Sequence, residues 1–154
     1  MSEAVIREKS EPLLLNQPLQ GFLTYWEGKC QGEKLPHKDT MDPVELRGLL
    51  NFIILFEVIE GGKDFKVRIC GNELREVVSA PLQGELWSKL ERDEVVVTAS
   101  TTLKQAVDNK EPVYEIEGSM ASIGRPHVCF QSIVVPLASD GEVVDFLMGA
   151  YAYR

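Results

Sequence analysis

Five side chains in this sequence are cysteines or histidines, the usual ligands of zinc and frequent nucleophiles and bases: Cys30, Cys70, Cys129, His37 and His127. A structural zinc site draws its ligands from closely spaced pairs, because one turn must present two donors to a single ion. No two of the five form such a pair, so no metal is expected. The nucleophile elbow, the HExxH helix, the phosphate-binding loop and the dinucleotide fingerprint are all absent. Asp39 and Asp42 stand near each other, but a turn and a helix N-cap account for them without catalysis. Glu115 and Glu117 alternate with Tyr114 and Ile116 along an extended run, which predicts that both carboxylates face solvent. His127, Cys129 and Gln131 share one strand face, and the alternate set of Val128, Phe130, Ser132 and Val134 is more apolar. The polar set is therefore expected outside. No catalytic residue can be assigned, and a non-enzymatic protein is expected.

The elements that would position these residues follow from periodicity. Leu19, Phe22, Leu23, Trp26 and Cys30 recur at helical spacing and form one stripe of an amphipathic helix. Asp42-Pro43 predicts a second, short helix through Leu50, with Asp42 as N-cap and proline at the first position. Phe52 to Glu60 is β-branched and aromatic on both alternating sets, so it reads as a strand covered on both faces. Gly61-Gly62 predicts a hairpin into Asp64–Cys70, where Phe65, Val67 and Ile69 would share a face. Broken helical material follows, with Pro81 and Gly84 as interruptions. A longer helix then runs from about Asp93 to Asn109, burying Val96, Ala99, Leu103, Ala106 and Val107. Three strands close the chain, at about 113–120, 126–137 and 143–153, the last two joined by a Ser139-Asp-Gly-Glu142 turn. Runs of strands around intervening helices predict an α+β domain with a five-stranded antiparallel sheet.

Composition bounds the partners. The 154 residues suit one domain, and 44% hydrophobic with 26% charged residues is enough to build a core. The balance of 16 Lys+Arg against 24 Asp+Glu, a formal charge of −8, disfavours nucleic acid and anionic membranes alike. The N-terminus is too charged for a secretory signal. The longest strongly apolar run, Phe52–Phe56, is far below the ~18 residues that cross a bilayer. An odd number of cysteines argues against a disulfide framework, so reduced thiols and a cytoplasmic location are expected. Residues 1–15 read as a flexible lead-in and 16–154 as a single domain, with flanking helices over 16–50.

Two strands, a helical wall and three strands make the order of Per-ARNT-Sim (PAS) domains, and the local text agrees. Asp64 to Leu74 resembles the second PAS strand running into its first wall helix, and Pro81-Leu-Gln-Gly84 with Leu86 resembles a turn within that wall. Trp26, Leu35-Pro36, Asp39, Asp42-Pro43, Leu46, Leu49-Leu50, Pro136-Leu137, Asp140-Gly141 and Phe146 to Ala150 are similar in order and spacing to a family of standalone, single-domain PAS-like proteins of proteobacteria. The resemblance spans roughly residues 20–153. It implies a PAS-like sheet with a helical wall and extra N-terminal helices, and a sensory or interaction role rather than a defined reaction.

A small apolar ligand of such a domain would sit between the sheet and the wall. The side chains offered for that pocket are Phe56, Ile69, Leu74, Val78, Trp87, Leu90, Leu103, Tyr114 and Phe130. The same residues would equally fill an ordinary core. Cofactors of this fold are not expected. A flavin photosensor carries its cysteine in an Asn-Cys-Arg-Phe motif, whereas Cys70-Gly-Asn-Glu73 has a different order; a haem sensor takes an axial histidine from the long wall helix, and residues 85–111 have none. Leu19, Phe22, Leu23 and Trp26 must bury, either as a lid on the far face of the sheet or against a partner or second copy. The resulting expectation is a sensor that signals through altered protein contacts. The alternatives are a constitutive adaptor, or a small enzyme of the nuclear-transport-factor cone fold. Two strands before the longest helix argue against that enzyme.

Overall fold

The computed structural model describes residues 5–7, 15–73, 82–90, 94–120 and 125–153, with side chains over 15–73, 82–89, 101–115 and 131–152. The elements are β1 (Val5–Arg7), α1 (Gln17–Lys29), β2 (Ile53–Ile59), β3 (Asp64–Cys70), α2 (Glu94–Asn109), β4 (Val113–Met120), β5 (Arg125–Leu137) and β6 (Phe146–Tyr153). Short 3-10 turns lie at Lys38–Thr40, Leu50–Phe52 and Trp87–Leu90.

The strands form one antiparallel sheet in the order β1-β4-β5-β6-β2-β3. Five of them are the strands expected from periodicity. The sixth is an addition: Val5–Arg7, expected within a flexible lead-in, pairs with the outer edge of β4, Ile6 opposite Glu115 and Arg7 opposite Tyr114. An edge strand presents a row of free N–H and C=O groups, so a tethered extended segment can pair there without any hydrophobic pattern to announce it. The opposite edge is also covered. Gly84 N donates to Val67 O at 2.7 Å and Val67 N donates to Glu85 O at 3.0 Å, so the 84–86 segment runs along β3.

Both faces of the sheet are apolar, and each has its own cover. Ile53, Leu55, Ile133, Val135, Leu137, Met148 and Ala150 point to α1, whose Leu19, Phe22, Leu23 and Trp26 complete that layer. Ile54, Phe56, Phe65, Val67, Val113, Val134 and Leu147 point the other way, to Trp87 and to Leu103 and Ala106 of α2. The strict alternation of β2 and β5 between these two sets is the period-2 geometry of a strand buried on both sides.

Two local expectations are corrected. Residues 43–49 form consecutive turns rather than an α-helix; Leu46 N reaches Asp42 O, but Leu49 N and Phe52 N bond three residues back, at 2.8 Å each. Gly48 weakens helix propensity there, and the segment must end at β2, leaving too little length to propagate a helix. Ile69 does not share a face with Phe65 and Val67. The register steps from Val67 opposite Phe56 to Ile69 opposite Leu55, so Arg68 is an extra residue, a β-bulge. The bulge reverses the parity beyond it: Cys70 turns into the wall-side core and Ile69 is left 53% exposed.

Gly71 follows the bulge where the chain passes the Leu50–Phe52 turn, its N–H bonded to Ile53 O at 2.8 Å. A Cβ there would lie inside van der Waals contact with the backbone carbonyls of Leu50 and Asn51, which have no freedom to retreat. Gly71→Ala is expected to lower the unfolding free energy by at least ~2 kcal/mol, the range of overpacked sites. Urea denaturation measures it, and an unchanged midpoint would show that the turn yields freely.

Candidate functional site

The wall-side layer is built around Phe56, fully buried at the middle of β2. Trp87 meets it edge-on with ring centroids 5.2 Å apart, and Phe65 does the same at 6.4 Å. Such edge-to-face pairs add roughly 0.5–1.5 kcal/mol to the area they bury. Trp87 is held in place from outside by Asp64, whose carboxylate accepts from Ser88 Oγ at 2.6 Å, Ser88 N at 3.1 Å and Phe65 N at 2.8 Å. Partial burial pushes the Asp64 carboxyl up, but the bonds from Ser88 and Phe65 outweigh it and hold the group below its ordinary range. One aspartate thus clamps the Trp87–Leu90 turn to the start of β3.

On the other side of this layer lies a polar pair. Glu115 on β4 is 5% exposed, and its Oε1 accepts a hydrogen bond from Thr102 Oγ1 of α2 at 3.0 Å. Ser132 on β5, also buried, stands opposite Glu115 in the strand register. Burial pushes the Glu115 carboxyl above its ordinary range, the Thr102 bond offsetting only part of that effect. Solvent exposure was the expectation for this glutamate, and it is corrected. β4 is covered on both faces, so the alternation of Tyr114 and Glu115 separates two interiors rather than inside from outside. The one sequence signal for the pair is Thr102, a polar residue beside Leu103 in the buried stripe of α2.

Of the side chains offered for the pocket, the structure brings Phe56, Trp87 and Leu103 together in the wall-side layer. Ile69 is excluded by the bulge. Tyr114 is excluded by parity and lies under α1 on the opposite face. Leu74 and Val78 lie outside the described residues, as do the side chains of Leu90 and Phe130.

The α1 face shows where the amphipathic stripe goes. Asn16 caps the helix by accepting from Leu19 N at 3.1 Å, and its own N–H donates to Gln131 Oε1 at 2.7 Å. Gln131 is therefore buried beneath α1 and ties the helix start to β5, not part of an outward polar face. Trp26 Nε1 donates to Pro136 O at 2.9 Å. Tyr25 Oη donates to Glu45 at 2.7 Å and accepts from Asp42 N at 2.9 Å, fastening the 40s segment to the same helix. Leu19, Phe22, Leu23 and Trp26 are 0–6% exposed within the single chain, so the partner-interface assignment for them is corrected: they form an intramolecular lid. Each contributes about 1.5–3 kcal/mol when fully buried, which a free α1 would forgo. Tyr114 is the misfit under this lid. Its ring fills the layer, yet its buried hydroxyl has no hydrogen-bond partner among the described residues, and desolvation, with smaller effects from Glu27 and Glu111, pushes its pKa up to about 12.

Elsewhere, an open cleft of about 570 Å³ lies on the surface among Lys34, Leu35, Lys110 and Glu142. Its lysines and glutamates give it a mixed, solvated character unlike the aromatic wall-side layer. Among the described residues no three His, Cys, Asp or Glu side chains converge as metal ligands, and no helix is long and apolar enough to cross a membrane.

With this geometry in hand, the chain can be compared with known proteins. A family model described as "PAS domain" matches residues 15–152. Among solved structures, the chain is similar to a sensory box sensor histidine kinase from Vibrio cholerae, at 15% identity and a TM-score of 0.46, covering 75% of this chain and 89% of that one. Curated proteins give no significant match.

Three substitutions test the Tyr114 hydroxyl, the Trp26–Pro136 bond and the Glu115 carboxyl. Tyr114→Phe removes a hydroxyl that pays for desolvation without a bond, so stability is expected to stay level or rise by ~1 kcal/mol; Trp26→Phe, which strands the Pro136 carbonyl, should instead lose ~1–3 kcal/mol. Equal losses in chemical denaturation would mean that the Tyr114 hydroxyl is bonded. Glu115→Gln keeps the bond to Thr102 and removes the charge. Because the folded state raises the Glu115 pKa above its unfolded value, wild-type stability from this group is full at low pH and is lost as pH rises through the folded pKa. The variant should therefore melt higher than wild type at pH 7–8, with the gap closing towards pH 4. A gap independent of pH would refute the assignment.

Proposed function

The chain belongs to the PAS domain family, and from that premise we propose that it is a non-enzymatic cytoplasmic sensor: a small ligand with an apolar body enters the wall-side layer and alters the contacts the domain makes with another protein or a second copy. PAS domains are in general sensory rather than catalytic modules. The family match over residues 15–152 carries the reading.

The arrangement of the two layers supports its mechanism. α1 side chains and backbone bonds lock the far face, and the described part of the wall-side cover comprises a 3-10 turn clamped by Asp64 and α2 bonded through Thr102. Phe56, Trp87 and Leu103 would contact the ligand, with Leu74, Val78, Leu90 and Phe130 as further lining. A ligand shifts such an equilibrium only by binding one arrangement better than the other.

Native mass spectrometry of freshly purified protein tests this directly. The expected result is a non-covalent adduct that vanishes on denaturation and whose occupancy falls in Trp87→Ala. A clean apo spectrum, with no small molecule recovered from the denatured sample, would instead favour a constitutive adaptor whose wall-side layer is simply core.

A further inference from the structure

We infer that the outer edge of β4 is a strand-addition site for an extended, positively charged segment of a partner protein, and that Val5–Arg7 is the chain's own plug in that site. The inference stands on the sheet alone and does not need a ligand in the wall-side layer.

β4 would end the sheet if β1 were absent, because β5 lies on its other side. An edge of that kind offers backbone donors and acceptors to an extended chain that arrives. What occupies it is short. β1 has three residues, opposite 114–117 of the eight-residue β4, whereas β5 and β6 pair continuously from Phe130 opposite Tyr153 to Leu137 opposite Phe146. Residues 8–14 separate it from Leu15, which is buried in the α1 layer. Fixing three backbone residues costs conformational entropy of about the size that their few hydrogen bonds return. The pairing therefore sits at the low-stability end of the sheet and opens without the rest unfolding.

The edge selects by register and by charge. β4 carries one extra residue against both of its neighbours in the same place. Glu117 and Glu115 stand opposite the consecutive Val5 and Ile6, and Gly118 and Glu115 stand opposite Phe130 and Ser132. A bulged edge turns away strands that pair only in flat register, and β1 shows that a matching segment follows the bulge. Residues 111–117, Glu-Pro-Val-Tyr-Glu-Ile-Glu, contain three glutamates and no lysine or arginine. β1 brings Arg7 into register opposite Tyr114, which lies between Glu111 and Glu115 in the sequence. Cross-strand pairs of opposite charge are favourable and like charges are not. A segment of apolar residues ending in a basic one, as Val5-Ile6-Arg7 does, fits this edge; an acidic one does not. β4 is also where α2 is fastened: Glu115, opposite Ile6, accepts from Thr102, so a docked strand pairs at the residue that ties α2 to the sheet.

Hydrogen exchange on the unmodified full chain is the first test. The β4 amides bonded to β1 are expected to exchange at least about tenfold faster than those of the β5–β6 ladder, at a rate that low urea leaves unchanged, because the opening is local. Equal protection, falling together as urea rises, would show β1 to be a permanent strand and overturn the plug. The second test frees the edge in the full chain with Val5→Pro and Ile6→Pro together, since proline has no N–H to donate. This variant is titrated with the peptide Ser2–Ser10 while amide shifts are followed by NMR. Saturable shifts along β4 are expected, weakened at least about threefold by Arg7→Glu in the peptide and abolished by the two prolines in the peptide. Wild type should need on the order of tenfold more peptide, because its own arm competes at the high effective concentration of a tethered segment. No saturable shift in the proline variant overturns the strand-addition site, and equal binding of the Arg7→Glu peptide overturns its charge preference. If circular dichroism shows the variant unfolded, the exchange result on wild type decides. A wild-type dimer that dissociates when the prolines are introduced would mean that copies exchange this segment, and overturns the partner assignment.

Discussion

The rest of the structure depends on one constraint: the central strands of the sheet are apolar on both faces. Ile53, Leu55, Ile133 and Val135 face one way and Ile54, Phe56, Val134 and Leu147 the other, so neither face can be left to water. Each must be covered, and the two covers differ in kind. One is a single capped helix held by four large side chains and by two side chain–backbone bonds, Trp26 to Pro136 and Asn16 to Gln131. The other includes, among the described residues, the Trp87–Leu90 turn and the longer helix α2.

Polar groups buried in the two layers follow the same division. Under α1, Gln131 and the Pro136 carbonyl are bonded to the helix and fix its position, and the exception, the Tyr114 hydroxyl, belongs to a ring whose bulk the layer uses. On the wall side the Glu115 carboxylate accepts a hydrogen bond from Thr102 and so ties α2 to β4.

Much of the fold was legible in the residues because periodicity is a local property. The α1 stripe, the two-sided apolar run of β2, the buried stripe of α2 and the Asp140-Gly141 turn each announce themselves within a dozen residues, and their order carried the resemblance to PAS domains. What periodicity cannot carry is a shift of parity. One extra residue at Arg68 sends Ile69 to the surface and Cys70 inward, and no residue type in Asp64–Cys70 marks it. The strand at Val5–Arg7 was equally invisible, since it is recruited by the free edge of β4 rather than by a pattern of its own. The candidate site was legible in part: Phe56, Trp87 and Leu103 do meet, while Ile69 and Tyr114 do not join them.

By itself, then, the sequence determined which elements form, that both faces of the sheet must be covered, and that the chain carries a formal charge of −8. Only the tertiary structure decided which cover each face receives. It placed the α1 stripe inside the chain rather than on a partner, because the sheet face opposite the wall offered that stripe an apolar surface at no cost in association entropy. It also decided that Glu115 is an interior residue. On a strand buried from both sides, alternation says only that neighbours point apart, and what each one meets is settled by the helix that packs there.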